Sequence, residues 1–133
     1  MCAVKMTSGV KWLIKGAHLY NTVISLEKKI QLANAINYVS ERPLPAFVCS
    51  YGQALVVPRV NESGKTVSAT VLNVSISDIE DLTLTVNNPI STEYTVCDPY
   101  CKDERGELEK SGDAYKVNVG MLRPWRTKTV FFN

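Results

Sequence analysis

The sequence predicts a mainly β fold: an antiparallel sandwich of two sheets preceded by one N-terminal helix. Three observations predict it. Apolar and polar side chains alternate through Leu82, Thr83, Leu84, Thr85 and Val86. Successive strand residues point to opposite sides, so one face of this strand is apolar. Tyr115, Val117 and Val119 alternate in the same way with Lys116 and Asn118. Strands that bury one face only suit antiparallel sheets packed in pairs. The third observation is the punctuation. Asn61-Glu62-Ser63-Gly64, Asn87-Asn88-Pro89 and Ser111-Gly112-Asp113 are turn sequences between short apolar runs. Seven short strands separated in this way give an immunoglobulin- or fibronectin-like sandwich, without the Cys…Trp…Cys spacing of antibody domains.

The elements follow in chain order. Val10, Trp12 and Ile14 alternate with Lys11 and Lys15, which predicts a short strand over 10–14, interrupted beyond it by Gly16 and Asn21. Residues 25–40 predict a helix, because Leu26, Ile30, Ala33, Ile36 or Asn37, and Val39 recur at spacings near three and four and form one stripe. Ser25 is its expected N-cap. Lys28 stands where a capping-box Glu would, so the box is incomplete. Pro43 stops the helix, and Leu44-Pro45 continues as extended chain. Strands are then predicted over 54–57, 66–74, 81–86, 93–97, 107–109, 114–119 and 127–132. Pro58 marks a strand end or an edge.

A chain of 133 residues is long enough for one domain with a sizeable core. At 45% hydrophobic and 21% charged residues it has the composition of a globular protein, not of a disordered one. A net charge of +2 marks neither a nucleic-acid binder nor a membrane-surface binder. No segment is long and apolar enough to span a bilayer, so neither nucleic acid nor membrane is expected as a partner. Lys5, Lys11 and Lys15 interrupt the apolar N-terminus, unlike the unbroken block of a secretory leader. Residues 1–50 carry six Lys/Arg against two Asp/Glu, and residues 51–133 carry nine against eleven. This switch of sign coincides with the change from helical to alternating pattern. Arg42-Pro43-Leu44-Pro45 between them is an extended connector of the kind found at domain edges. The expected division is therefore 1–43, an N-terminal segment with the helix, and 44–133, the sandwich. The predicted core is Leu55, Val57, Val71, Leu82, Leu84, Val86, Tyr115, Val117, Val119 and residues of the last strand, with the helix stripe covering one sheet face.

Candidate chemistry is sparse. His18 is the single histidine, so a Ser-His-Asp triad or a multi-histidine metal site is available only through it. In an apolar stretch it reads as structural. No glycine-rich phosphate loop or dinucleotide fingerprint is present. Of the four cysteines, Cys2, Cys49, Cys97 and Cys101, none is needed as a disulfide in a chain this well supplied with apolar residues. Cys97-Asp98-Pro99-Tyr100-Cys101 lacks the second ligand pair of a structural zinc site. It reads as a turn carrying two thiols, or as a local disulfide in an oxidising compartment. Asp98, Asp103, Glu104 and Glu107 surround it without an EF-hand spacing, so no metal and no other cofactor is expected.

Trp125, in Leu122-Arg123-Pro124-Trp125-Arg126, and Tyr100 are the candidate ligand-binding residues. An exposed aromatic face beside arginines can cover the apolar face of a pyranose ring. The competing reading packs Trp125 over the end of the sandwich. Asn61-Glu62-Ser63 and Asn73-Val74-Ser75 match the N-glycosylation acceptor pattern, Asn73 inside a predicted strand and so poorly placed to accept.

Leu44-Pro45, Val57-Pro58-Arg59-Val60, Gly64-Lys65-Thr66-Val67, Thr70-Val71-Leu72-Asn73-Val74-Ser75 and Leu122-Arg123-Pro124-Trp125 before a closing strand resemble the C-terminal β-sandwich accessory domain of bacterial glycoside hydrolases. The resemblance covers roughly residues 20–132 and does not include Cys97 and Cys101. It implies a non-catalytic domain with a structural or domain-packing role, its partner the neighbouring domain of a parent chain, with carbohydrate a further candidate. It also implies that the helix is the last of a preceding domain. No carboxylate pair of a parent enzyme maps onto this chain, so the chain itself is expected not to be an enzyme. The alternative is a sugar- or protein-binding sandwich acting through exposed loops.

Overall fold

The computed structural model describes residues 2–5, 7–9, 11–14 and 26–133. They belong to two compact units, Met1–Leu44 and Pro45–Asn133. In the first, strands β1 (Cys2–Lys5) and β2 (Lys11–Ile14) form an antiparallel hairpin, and helix α1 (Leu26–Ser40) lies against β2. β1 opens with three apolar residues in a row, Cys2-Ala3-Val4, and so shows no alternation, which is why only its partner was legible. Ser25 and His18 lie outside the described residues. Of the predicted helix stripe Ala33 is buried and Leu26 half-buried, whereas Ile30, Ile36 and Val39 remain exposed; Ala35, off the stripe, is buried as well. Beyond the helix Glu41 turns left-handed, with φ of 58°, as residues that end helices commonly do. Its carboxylate meets Lys11 Nζ at 2.8 Å, and the same ammonium lies 4.9 Å from the centre of the Tyr38 ring. Asn37 Oδ1 accepts from the Leu44 N–H at 2.8 Å and draws the connector back along the helix.

The second unit is a sandwich of two antiparallel sheets. Strands β3 (Ala46–Val48), β6 (Ile79–Val86), β10 (Ala114–Leu122) and β9 (Glu109–Ser111) form one sheet in that order. Strands β4 (Ala54–Val60), β5 (Thr66–Asn73), β11 (Thr127–Phe132), β7 (Glu93–Cys97) and β8 (Glu104–Glu107) form the other. The first sheet has the A-B-E-D order of immunoglobulin domains, and β8, β7 and β11 stand as C′, C and F. The place beside F, filled there by the last strand G, is taken here by β5, which comes early in the chain, and β4 extends the sheet beyond it.

Between the sheets lies one core: Ala69, Val71, Val96, Val130 and Phe132 from the five-stranded sheet, and Val48, Ile79, Leu82, Leu84, Val86, Val117, Val119 and Leu122 from the other. The expected strand over 107–109 is instead a passage between sheets. β8 ends at Glu107, β9 starts at Glu109, and the buried Leu108 crosses alone, its N–H donating to Thr92 O at 2.7 Å. β10 runs on past residue 119 through a bulge at Gly120, whose φ of 73° a residue with a Cβ adopts only under strain.

β4 faces the other way from the prediction. Ala54 and Val56 pack on the core, and Leu55 and Val57 are 53% and 52% exposed on the outer face. Both candidate faces of this strand are apolar, so alternation could not choose between them. β4 is also an edge, paired only with β5. Val74 N–H donates to Gln53 O at 3.0 Å. In this register, with Leu55 opposite Leu72, the ladder bonds to β5 fall on residues 55, 57 and 59. Backbone groups of 54, 56 and 58 therefore point to the free edge, where Pro58 has no N–H to offer.

The two ends of the sandwich differ. Pro45, whose carbonyl accepts from Asn87 N–H at 2.8 Å, and Asn133, whose N–H donates to Glu93 O at 3.1 Å, lie at one pole. Loops 49–53, 74–78, 98–103 and 123–126 cluster at the other.

Candidate functional site

Two of the four loops, 74–78 and 123–126, are held together by Asn73, a fully buried side chain at the end of β5. Its Nδ2 donates to Ser77 O and to Leu122 O, each at 2.8 Å. Its Oδ1 accepts from Ser75 N–H at 2.8 Å and from Ser75 Oγ at 2.7 Å. Its backbone N–H donates to Arg126 O at 3.1 Å, and its carbonyl accepts from Trp125 N–H at 3.0 Å. A buried amide is stable only when its donors and acceptors are paired, and here the paired groups are the loops themselves. Asn73 is thus a clamp, with no free amide for a glycan. At the other acceptor pattern, Asn61 Oδ1 accepts from Ser63 Oγ at 2.8 Å and from Lys65 N–H at 2.9 Å in an exposed hairpin.

Loop 123–126 is a turn closed by Arg126 N–H donating to Arg123 O at 3.2 Å. Pro124 occupies its second position, and Trp125 the third with φ of 58°. That position in a turn with positive φ favours Gly or Asn, and a bulky residue there is strained. The indole stands outside the sandwich, 66% exposed. Trp125 therefore does not pack over the sandwich end.

Tyr100 stands on the β7–β8 loop. Asp98 Oδ1 accepts from Tyr100 N–H at 2.9 Å, and Asp98 O from Cys101 N–H at 3.2 Å, which sets the loop as a tight turn. Lys128 Nζ, 3.9 Å from Asp98 Oδ2, also donates to Val119 O at 3.0 Å and ties this loop to β10. Tyr100 is 70% exposed, and the Arg126 guanidinium carbon lies 3.6 Å from its ring centre. This is a close cation–π contact. The two residues singled out in the sequence thus sit on neighbouring loops of one pole, linked through Arg126.

Sequence reasoning missed Arg126, Tyr51 and Ile76. The first is recognisable only from the fold, because its partner lies on another hairpin. Tyr51 and Ile76 are exposed on the two remaining loops, Ile76 by 89%. Arg123 is exposed beside Trp125. On the other side of the pole an open depression of about 380 Å3 is lined by Ser50, Tyr51, Gly52, Asp78, Ile79, Glu80 and Asp81. At the opposite pole a second depression, of about 410 Å3, lies over Tyr94, Arg105, Gly106 and Glu107.

The thiols at this pole differ in their surroundings. Cys49, Cys97 and Cys101 are free. Partial burial and the Asp103 carboxylate beside it push the Cys97 thiol above its ordinary value, which disfavours the nucleophilic thiolate. Among the described residues no group of three or more His, Cys, Asp or Glu converges as metal ligands do. What the pole offers is planar, exposed and rigidly mounted: an indole, a tyrosine ring and a guanidinium. Compared with protein-family models, curated proteins and solved structures, the chain matches none, and so nothing there links it to the glycoside hydrolase domains that its motifs resemble.

Proposed function

We propose that this chain is a non-catalytic β-sandwich module that docks onto another folded protein surface through Tyr100, Trp125 and Arg126. One observation carries the reading: Arg126 is stacked at 3.6 Å on an exposed Tyr100, next in sequence to an exposed Trp held in a left-handed turn. Trp, Tyr and Arg are the residues that dominate the binding energy of protein interfaces. Strained backbone persists where function requires it, and this strain has no packing role to explain it. Tyr100, Trp125 and Arg126 do not line the depression at this pole, which suits a macromolecular surface better than a small molecule. In the accessory-domain reading, the docked surface belongs to a domain of a carbohydrate-active enzyme.

A second reading has its own observation. The open indole of Trp125 beside arginine donors also suits a sugar ring. Affinity electrophoresis through a panel of polysaccharides separates the two. No retardation is expected, and retardation abolished by Trp125→Ala would replace docking by sugar binding. A photo-crosslinking amino acid at Tyr100 should give a defined protein adduct. The same group at the exposed Glu109, away from this pole, should not. Equal adducts from both positions would remove the loop end as the docking surface.

A further inference from the structure

We infer that the free edge of β4 pairs with the same edge of a second copy of this chain. The pairing is antiparallel and two-fold about Val56, so the five-stranded sheets of two copies run on into one. This contact lies along a strand edge of the sandwich and does not use the loop end. The edge defines the chemistry of its occupant. Backbone groups of Ala54, Val56 and Pro58 point away from β5, and among the described residues no further backbone bond reaches them. Such a row of N–H and C=O groups is a template for another extended backbone. Beside it Leu55 and Val57 stand exposed on the outer face.

A second copy is singled out because β4 is its own complement in one register. In a two-fold contact, residue i of one copy meets residue j of the other and j meets i. About Val56, each Val56 N–H donates to the Val56 carbonyl opposite, and each Ala54 N–H donates to the Pro58 carbonyl opposite. Pro58 has no N–H to give, and in this register the loss falls at the rim of the contact. Leu55 of each copy stands opposite Val57 of the other, in the closer, non-hydrogen-bonded pairs. Both exposed apolar side chains of residues 54–58 thus meet apolar partners. Arg59 stands opposite Gln53, so no like charges meet. Neighbouring registers do worse. Centred on Leu55, the strands set Val57 against Gln53; centred on Pro58, they lose both central bonds. The assembly also stops at two. It uses the β4 edge of both copies, and the opposite edge of the same sheet, β8, carries Glu104, Arg105 and Glu107, charges of the kind that keep edge strands apart.

Sedimentation of the full chain over a range of concentration tests this. Expected is a monomer–dimer equilibrium. The double variant Leu55→Lys with Val57→Lys sets like charges opposite one another in both outer pairs. It should shift the dissociation constant roughly tenfold or more toward monomer. Leu55→Lys with Val57→Glu sets opposite charges there and should recover most of that shift, the recovered part falling as salt rises. Circular dichroism matched to the parent shows that each variant is folded. Cross-linking reads the register. In a glutathione redox buffer the Leu55→Cys and Val57→Cys chains, mixed, should join through a disulfide between the two introduced thiols. The Cα atoms of a non-hydrogen-bonded pair lie about 4.5 Å apart, within disulfide reach. Peptide mass mapping sets this bond apart from any made by the native cysteines. A chain that stays monomeric overturns the pairing. So does a dimer indifferent to the lysine pair, or a Leu55→Cys chain that cross-links alone as fast as the mixture does.

Discussion

Asn73 commits every hydrogen-bonding group it has to the loops around it, and the consequence is testable at a single atom. Asn73→Ala leaves the buried carbonyl of Leu122 without its side-chain donor and releases the 74–78 loop from Oδ1, and should cost about 2–4 kcal/mol in chemical denaturation. Asn73→Asp keeps the shape but sets an oxygen against both carbonyls. It should cost more than the alanine variant, and less at acid pH, where a protonated carboxyl can donate. Trp125 carries the opposite kind of cost. Its φ of 58° is strained for a bulky side chain and free of strain for glycine. Trp125→Gly should therefore raise thermal stability, by about 1 kcal/mol, while abolishing docking. A stability gain with docking intact would show that the indole is not the contact. The thiols differ as well. Exposed Cys101 should be alkylated before Cys97, as peptide mass mapping after brief iodoacetamide treatment will report. Because the folded-state value of Cys97 is raised, its thiolate is disfavoured by the fold. Its stabilising contribution is full below the unfolded thiol value and is lost as pH rises through the folded one. The lag of Cys97 behind Cys101 should accordingly be largest near neutral pH.

At the scale of the element, β4 is the place where the alternation rule was necessary but insufficient. It identified a strand with two faces, and both faces are apolar: Leu55, Val57 on one, Ala54, Val56 on the other. Which face turns inward is decided by the register with β5, a long-range property. The exposed apolar face would make β4 a hazard at the sheet edge, and Pro58 limits it by removing an N–H on the free side. Pro58→Val restores that N–H without disturbing the bonds to β5. It should leave the fold intact and increase association in light scattering, with a gain in β signal in the aggregate. Where the alternation had only one apolar face, in β6 and β10, the reading and the structure agree on Leu82, Leu84, Val86, Val117 and Val119. β8 and β9 were illegible for another reason. Their residues are mostly charged and exposed, so nothing in their pattern distinguishes a short edge strand from a loop. At the candidate site, residue type revealed Tyr100 and Trp125. The stack through Arg126 needed the hairpins to be placed side by side.

For the whole molecule, every residue of the central core lies between Ala46 and Phe132, and Pro45 is anchored by bonds from Asn87 and Thr66. The chain begun at Pro45 should therefore unfold as one cooperative transition, with dispersed amide resonances and a near-ultraviolet dichroism band. A molten product would mean that the first unit supplies part of the packing. Leu108 closes one flank of the sandwich with a single residue, and Asn73 closes the loop end, so the sheets are fastened at more than their shared core.

The opposition of the two poles has a mechanical side. β11 begins at Thr127, directly after the turn that carries Trp125 and Arg126, and ends beside Asn133 at the far pole. A tether fixed after Asn133 and a partner gripping the turn would pull on the two ends of one extended strand. Such a load runs through covalent bonds already near full length, and on either side the ladders to β5 and β7 are sheared together, not opened one bond at a time. Tension along this axis would reach the turn of Trp125 and Arg126 without unravelling what lies between.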